Sequence, residues 1–126
     1  MRAADSNVLI RLITGDDAKQ TRAAGQFIEK GAWVSILAIG ETAWVLRKVY
    51  KQNAAAIASA VQMLLDHESL ILQDSETVEA ALKLYRSRPA LGFSDCLMLH
   101  LARKAGHLPL GTFDRALGRV EGAQKL

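Results

Sequence analysis

The sequence has a single cysteine, Cys96, and only two prolines in 126 residues. One thiol excludes an internal disulfide and fits a reducing compartment. With so few prolines, and with no linker, low-complexity stretch or internal repeat, residues 1–126 read as one domain, long enough to bury a real core. No apolar run approaches the roughly 20 residues needed to span a bilayer. Asp5 interrupts the start almost at once, where a secretory leader would need an apolar stretch, so the expected location is the cytoplasm with no membrane association. Neither a GxGxxG turn nor a glycine–lysine phosphate loop occurs, which leaves a dinucleotide or nucleoside triphosphate site without support. No serine lies in a nucleophile-elbow context. Cys96 and His100, one helical turn apart, supply only half a zinc site and read as a packed thiol and a polar-face histidine, while His67 and His107 have no motif around them.

A strong charge of one sign is lacking too. Sixteen Lys and Arg stand against thirteen Asp and Glu, a balance that permits nucleic-acid binding without requiring it. The densest basic group, Arg47, Lys48 and Lys51, reads as the solvated face of a helix. Aromatics are few, and Trp33 and Trp44 read as core or dimer-interface residues rather than base-stacking platforms.

What the chain does have is apolar residues in regular patterns. Ile57, Ala60, Val61, Leu64 and Leu65 follow the spacing of a helix with one buried stripe, and Val78, Ala81, Leu82 and Tyr85 repeat it with Asp74 or Ser75 as cap. Asp16 or Asp17 caps a further predicted helix, with Ala23, Ala24, Phe27 and Ile28 on its apolar side and Gly31 at its end. A helix from about Ser94 to Ala105 is apolar nearly all round and should be largely buried. Between the helices lie runs of strand length at Arg2–Ala4, Ala32–Leu37, Leu70–Gln73 and Leu108–Thr112, with a weak candidate at Val120–Leu126. Pro109 suggests that the fourth strand begins irregularly or lies near an edge. Such alternation predicts an α/β fold with a mainly parallel sheet and helices on both faces.

Nine of the thirteen acids fall in polar stretches, but Asp5, Glu41, Asp95 and Asp114 do not. Asp5 ends the first strand, Glu41 enters the helix after the second, Asp95 opens the buried helix and Asp114 closes the strand Leu108–Thr112. In a parallel sheet, strand C-termini share one edge, so these carboxylates are expected to converge despite long sequence separations. Each has a plain alternative: N-capping for Asp5 and Asp95, a favourable position in a first helical turn for Glu41, a turn or surface ion pair for Asp114. Gathering four like charges is costly unless a cation joins them. An all-oxygen donor set selects Mg2+ or Mn2+, ions suited to phosphoryl chemistry.

These residues resemble a known family. Asp5-Ser6-Asn7-Val8-Leu9 is similar to the Asp-Thr-Asn opening of PIN-domain nucleases. Glu41, Asp95 in a Phe-Ser-Asp setting, and Thr112-Phe113-Asp114-Arg115 match the remaining acidic positions in order and approximate spacing. The likeness covers nearly the whole chain, and Leu9–Asp17 resembles VapC-type toxins in particular. It implies a three-layer α/β/α fold with a central, mainly parallel sheet of four to five strands. It also implies Mg2+- or Mn2+-dependent hydrolysis of RNA, with Asp5, Glu41, Asp95 and Asp114 as the metal-binding and catalytic acids, Asp5 and Asp95 foremost. Ser6 stands where threonine is usual and keeps the hydroxyl; Asn7 and Thr112 join it as residues that orient the acids. A homodimer, held inactive by a small antitoxin, is the implied assembly.

Two other readings fit a chain of this size. A PIN-like module that only binds RNA or protein would be free to lose its acids, and all four are present. A phosphoacceptor receiver domain needs an acidic pair at the first strand, where this chain has one acid.

Overall fold

The computed structural model describes residues 1–126. Its helices begin where short polar side chains can bond the free amides of a first turn. Helix α1 (Ser6–Thr14) starts at Asp5, whose carboxylate accepts from the Val8 amide at 3.2 Å, and ends at Gly15 in the left-handed conformation. Asp17 caps α2 (Ala18–Ile28), Ser35 caps α3 (Ile36–Lys48) and Asn53 caps α4 (Ala54–Asp66) in the same way. Helices α5 (Ser75–Ser87) and α6 (Phe93–Ala105) start without a side-chain cap bond. Asp74 occupies the cap position of α5 but accepts instead from the Thr77 hydroxyl and the Lys104 ammonium.

Five short strands alternate with these helices: β1 (Arg2–Ala3), β2 (Ala32–Val34), β3 (Leu70–Leu72), β4 (Leu110–Thr112) and β5 (Ala123–Lys125). Strand β2 is half the length of the apolar run that predicts it. The Ser35 hydroxyl accepts from the Ala38 amide at 3.1 Å and turns the chain into α3 early, so Ile36 and Leu37 are helical. Glu41 therefore lies in the second turn of α3, beyond the first-turn position expected for it.

Strands β1, β2 and β3 pair in parallel in that order, with Ala3 opposite Trp33 and Trp33 opposite Ile71. Strands β4 and β5 form a second parallel pair, bridged by a 3-10 turn at Leu117–Arg119. Hydrogen bonding thus divides the expected sheet into three strands and two, all of them parallel to their partners.

A core of 28 buried residues draws on every helix, with Leu9, Ile39, Leu46, Leu64 and Leu99 fully enclosed. Truncating one such leucine to alanine costs roughly 2–5 kcal/mol. Alternate residues of β2 and β3 are buried, and the opposite sheet face stays partly open at Trp33 and Ile71. Helix α6 is less enclosed than its composition suggests, because Met98 is half exposed. Neither tryptophan is a core residue: Trp33 is 38% exposed and Trp44 55%.

Candidate active site

Parallel pairing sends the C-terminal ends of β1, β2 and β3 to one edge. The chain leaves β1 through Ala4 and presents Asp5, Ser6 and Asn7 at the start of α1. With Trp33, Ser35, Leu37 and Glu41 they line an open cleft of about 430 Å³. Ser6 is buried, and its hydroxyl donates to Glu41 Oε1 at 2.7 Å, fixing the glutamate at the cleft wall. Asn7 lines the same cleft.

The start of α3 is held from the neighbouring strand. The Ile36 amide donates to Gln73 Oε1 at 2.9 Å, so the residue after β3 sets where the helix carrying Glu41 begins. Helix α6 comes close to α3 at Gly40, where an added Cβ would touch Leu97 and Ser94. The Ser94 hydroxyl donates to the Gly40 carbonyl at 3.3 Å. This crossing brings Asp95, in the first turn of α6, against the outer part of α3.

Asp95 is half-buried, and its carboxyl is pushed above the usual carboxylate range, first by burial and then by the negative charge of Asp114. The Gly92 backbone and the Arg47 guanidinium oppose that shift without cancelling it. Gly92 has no side chain to come between these charges. A Cβ there would lie 3.3 Å from Asp95 Oδ2 and 3.5 Å from Arg47 Nη1. The two salt bridges in the protein, Arg11–Asp16 and Lys104–Asp74, do not involve Asp95.

Asp114 follows β4. Its amide donates to Thr112 Oγ1 at 3.0 Å, and its Oδ1 accepts from the Leu117 amide at 2.8 Å. Thr112 thus orients the backbone at Asp114, whereas Ser6 bonds a carboxylate directly.

The four acids stand as two neighbouring pairs: Asp5 with Glu41 on one cleft, and Asp95 facing the charge of Asp114. No three of the Asp, Glu, His and Cys side chains are gathered closely enough to hold an ion between them. Each pair has a local reason to stay apart from the other. Asp5 caps α1, Glu41 takes the Ser6 hydroxyl and Asp114 accepts from the Leu117 amide, while like charges repel. The donors nevertheless suit a hard divalent cation, being carboxylates with one member, Asp95, whose charge is unmet by any cation at bonding distance.

Ser35 and Gln73 do structural work for the site that periodicity does not announce. Arg47, a member of the basic group assigned to a solvated face, lines a hollow with Asp95. Cys96 is fully buried and its thiol is pushed up to about 12, chiefly by burial, as suits a packed thiol. Burial and Arg103 hold the His100 imidazole below its ordinary value.

Fold and acids together define an α/β domain with carboxylates gathered where its parallel strands end. The PIN domain pattern matches residues 3–123, and the chain belongs to this family. Its fold is the family's three-layer α/β/α arrangement, and PIN domains are generally nucleases that bind divalent metals. No curated protein and no solved structure matches the chain significantly. No helix is long and apolar enough to cross a membrane.

Proposed function

We propose that this PIN-domain protein is a Mg2+- or Mn2+-dependent ribonuclease, acting in the cytoplasm as the toxin of a toxin–antitoxin pair. The observation that supports the nuclease reading most is Asp95, a half-buried carboxylate repelled by Asp114 and without a Lys or Arg at ion-pair distance, in a hollow against α3, the helix that carries Glu41. Unmet charge of this kind is expensive in a structural role and useful in a catalytic one.

In this reading Asp5 and Asp95 hold the metal directly, and Glu41 and Asp114 complete the site directly or through water. When bound, the ion lowers the pKa of its water and neutralises charge growing on the phosphate oxygens. Ser6 keeps the Glu41 carboxylate turned to the cleft, where it can accept a proton from an attacking water. Asn7, on the cleft rim, and Thr112, through the Asp114 backbone, steady the acids around the phosphodiester. Cleavage would leave a 5′-phosphate and a 3′-hydroxyl. The toxin role, the antitoxin and a homodimer carry over from the likeness of Leu9–Asp17 to VapC-type toxins.

Cleavage of a mixed RNA pool by wild type and Asp5→Asn, with Mn2+, with Mg2+ and with EDTA, tests the proposal. Metal-requiring cleavage that vanishes in the variant is the expected result. Cleavage that survives both EDTA and the substitution would remove the acids from the chemistry. A binding-only role gains from the separation of the acids into two pairs. It would be favoured if antitoxin-free wild type bound RNA without cutting it and Asp5→Asn left that binding unchanged. Sedimentation, alone and after co-expression with the neighbouring reading frame, tests the dimer and the antitoxin.

A further inference from the structure

Helix α3 carries Glu41, Trp44 and Arg47 at three-residue steps and Lys48 four residues after Trp44, all exposed on its outer surface. Trp44 is 55% exposed, an unusual state for so large an apolar ring. It forms the wall shared by two hollows. One, of about 330 Å³, is mainly apolar, lined also by Ile36, Leu37, Leu97, Met98 and Leu101 together with Glu41. The other, of about 160 Å³, contains Arg47, Lys48, Gly92 and Asp95. The indole therefore stands between the carboxylate of one pair and a carboxylate of the other. Arg47 and Lys48 take part in neither salt bridge of the protein, so their charge is available beside it.

From this placement we infer that Trp44, Arg47 and Lys48 are the binding strip for single-stranded RNA on either side of the scissile phosphate. Trp44 stacks a base, and the two cations hold the phosphates that follow it. An unstacked base offers a flat apolar face to an exposed aromatic ring, and the charged backbone one nucleotide on seeks cations. Trp and Arg are common in protein interfaces too, but Lys48 and the flanking Glu41 and Asp95 are of the types depleted there, which favours a charged polymer. In a paired strand the bases are not free to stack on the indole, so duplex RNA should gain nothing from it. The inference rests on the nuclease reading only for the identity of the polymer.

The test is titration with a ten-nucleotide RNA of mixed sequence in EDTA, in the Asp5→Asn background so that the strand stays whole. With Trp33→Phe added, Trp44 is the only fluorophore of its kind, and its emission should fall as RNA binds. Trp44→Ala should weaken single-strand binding about tenfold, the weight of one stacked base. Trp44→Phe should restore most of it. Arg47→Gln and Lys48→Gln should each lower the slope of log affinity against log salt by about 0.7. Affinity for an RNA duplex should not respond to Trp44→Ala. Unchanged Trp44 emission, or unchanged single-strand affinity in Trp44→Ala, would overturn the inference. So would a Trp44→Ala protein that passes from dimer to monomer while RNA affinity stays intact, which would give the strip to a protein interface. Quenching without cleavage by the wild type would sink the nuclease reading and leave the strip standing; cleavage indifferent to Trp44 would do the reverse.

Discussion

Two groups of carboxylates in this protein meet their surroundings in opposite ways. Asp16 accepts from the hydroxyls of Thr14 and Tyr50 and from Arg11, and Asp74 accepts from Lys104 and Thr77. Both are held below the usual carboxylate range, Asp16 chiefly by the Thr14 bond and Asp74 chiefly by the Lys104 bond. Asp95 has no such partner, is partly buried, faces Asp114 and is pushed upward. The first group ties the ends of helices to their neighbours and asks nothing of solvent ions. The second keeps a charge exposed to its own repulsion, which folding alone would not favour. Acids perturbed in this way cluster at functional sites, which is the role the proposed nuclease reading gives Asp95.

The largest consequence is catalytic. Asp95→Asn should lower RNA cleavage about 100-fold or more, the scale on which one preorganised charged or polar group acts. Asp16→Asn should leave the rate within a few-fold, and equal losses in the two variants would erase the distinction. Metal comes next. In the wild type, Mn2+ at 100 times its dissociation constant should raise stability by about 2.7 kcal/mol, read as a higher melting temperature. Asp5→Asn with Asp95→Asn should abolish that rise while leaving the metal-free protein folded, and Asp74→Asn should preserve it. A rise that persisted in the double variant would put the ion elsewhere.

Acidity separates the groups by sign. A carboxyl raised on folding opposes the folded state above its folded pKa, and that penalty fades as pH falls towards its unfolded value. Metal-free Asp95→Asn should therefore melt higher than wild type at pH 7, with the gap closing in acid. A carboxyl lowered on folding contributes stability above its unfolded pKa and loses it as pH falls through the folded one. Asp74→Asn should accordingly melt lower than wild type at neutral pH, by at most about 1 kcal/mol for a solvent-screened pair, and the gap should vanish in acid. Melting curves from pH 3 to pH 7 in EDTA would read both, and shifts of the same sign would break the contrast. Smallest is an unmet group that serves no site. Thr42 is buried in α3 with its hydroxyl unpartnered. Thr42→Val should stabilise by about 1 kcal/mol, with cleavage unchanged, as denaturant titration and the RNA assay would show.

The parts of this molecule legible in the sequence are those written in local chemistry. Asp17 marks a helix start by a bond that involves only near neighbours. The alternation of helix and strand likewise reads from period. What stayed hidden depends on partners far along the chain. The end of β2 is decided by the Ser35 hydroxyl and by Gln73, 37 residues beyond the amide it accepts from. The exposure of Trp33 follows from which sheet face the helices leave open, and composition does not specify that. That Asp5, Glu41, Asp95 and Asp114 each fall near a strand end or a helix start was legible from order along the chain. Their separation into two pairs was not, because it depends on local donors such as Ser6 and the Leu117 amide. Arg47 reads from sequence as part of a solvated face because a basic residue near a helix end usually meets only water, and its hollow with Asp95 depends on the distant helix α6.

The β4–β5 pair makes the last acid separable from the rest. Asp114 hangs on a two-stranded ladder that shares no hydrogen bond with the three-stranded sheet, and the Leu126 amide closes that ladder on the Thr112 carbonyl at 2.9 Å. Leu117 and Val120, in the segment that joins the two strands, are nevertheless buried in the core, and Leu110 and Ala123 pack against it. Side-chain packing, not backbone pairing, therefore sets where this acid stands relative to the other three.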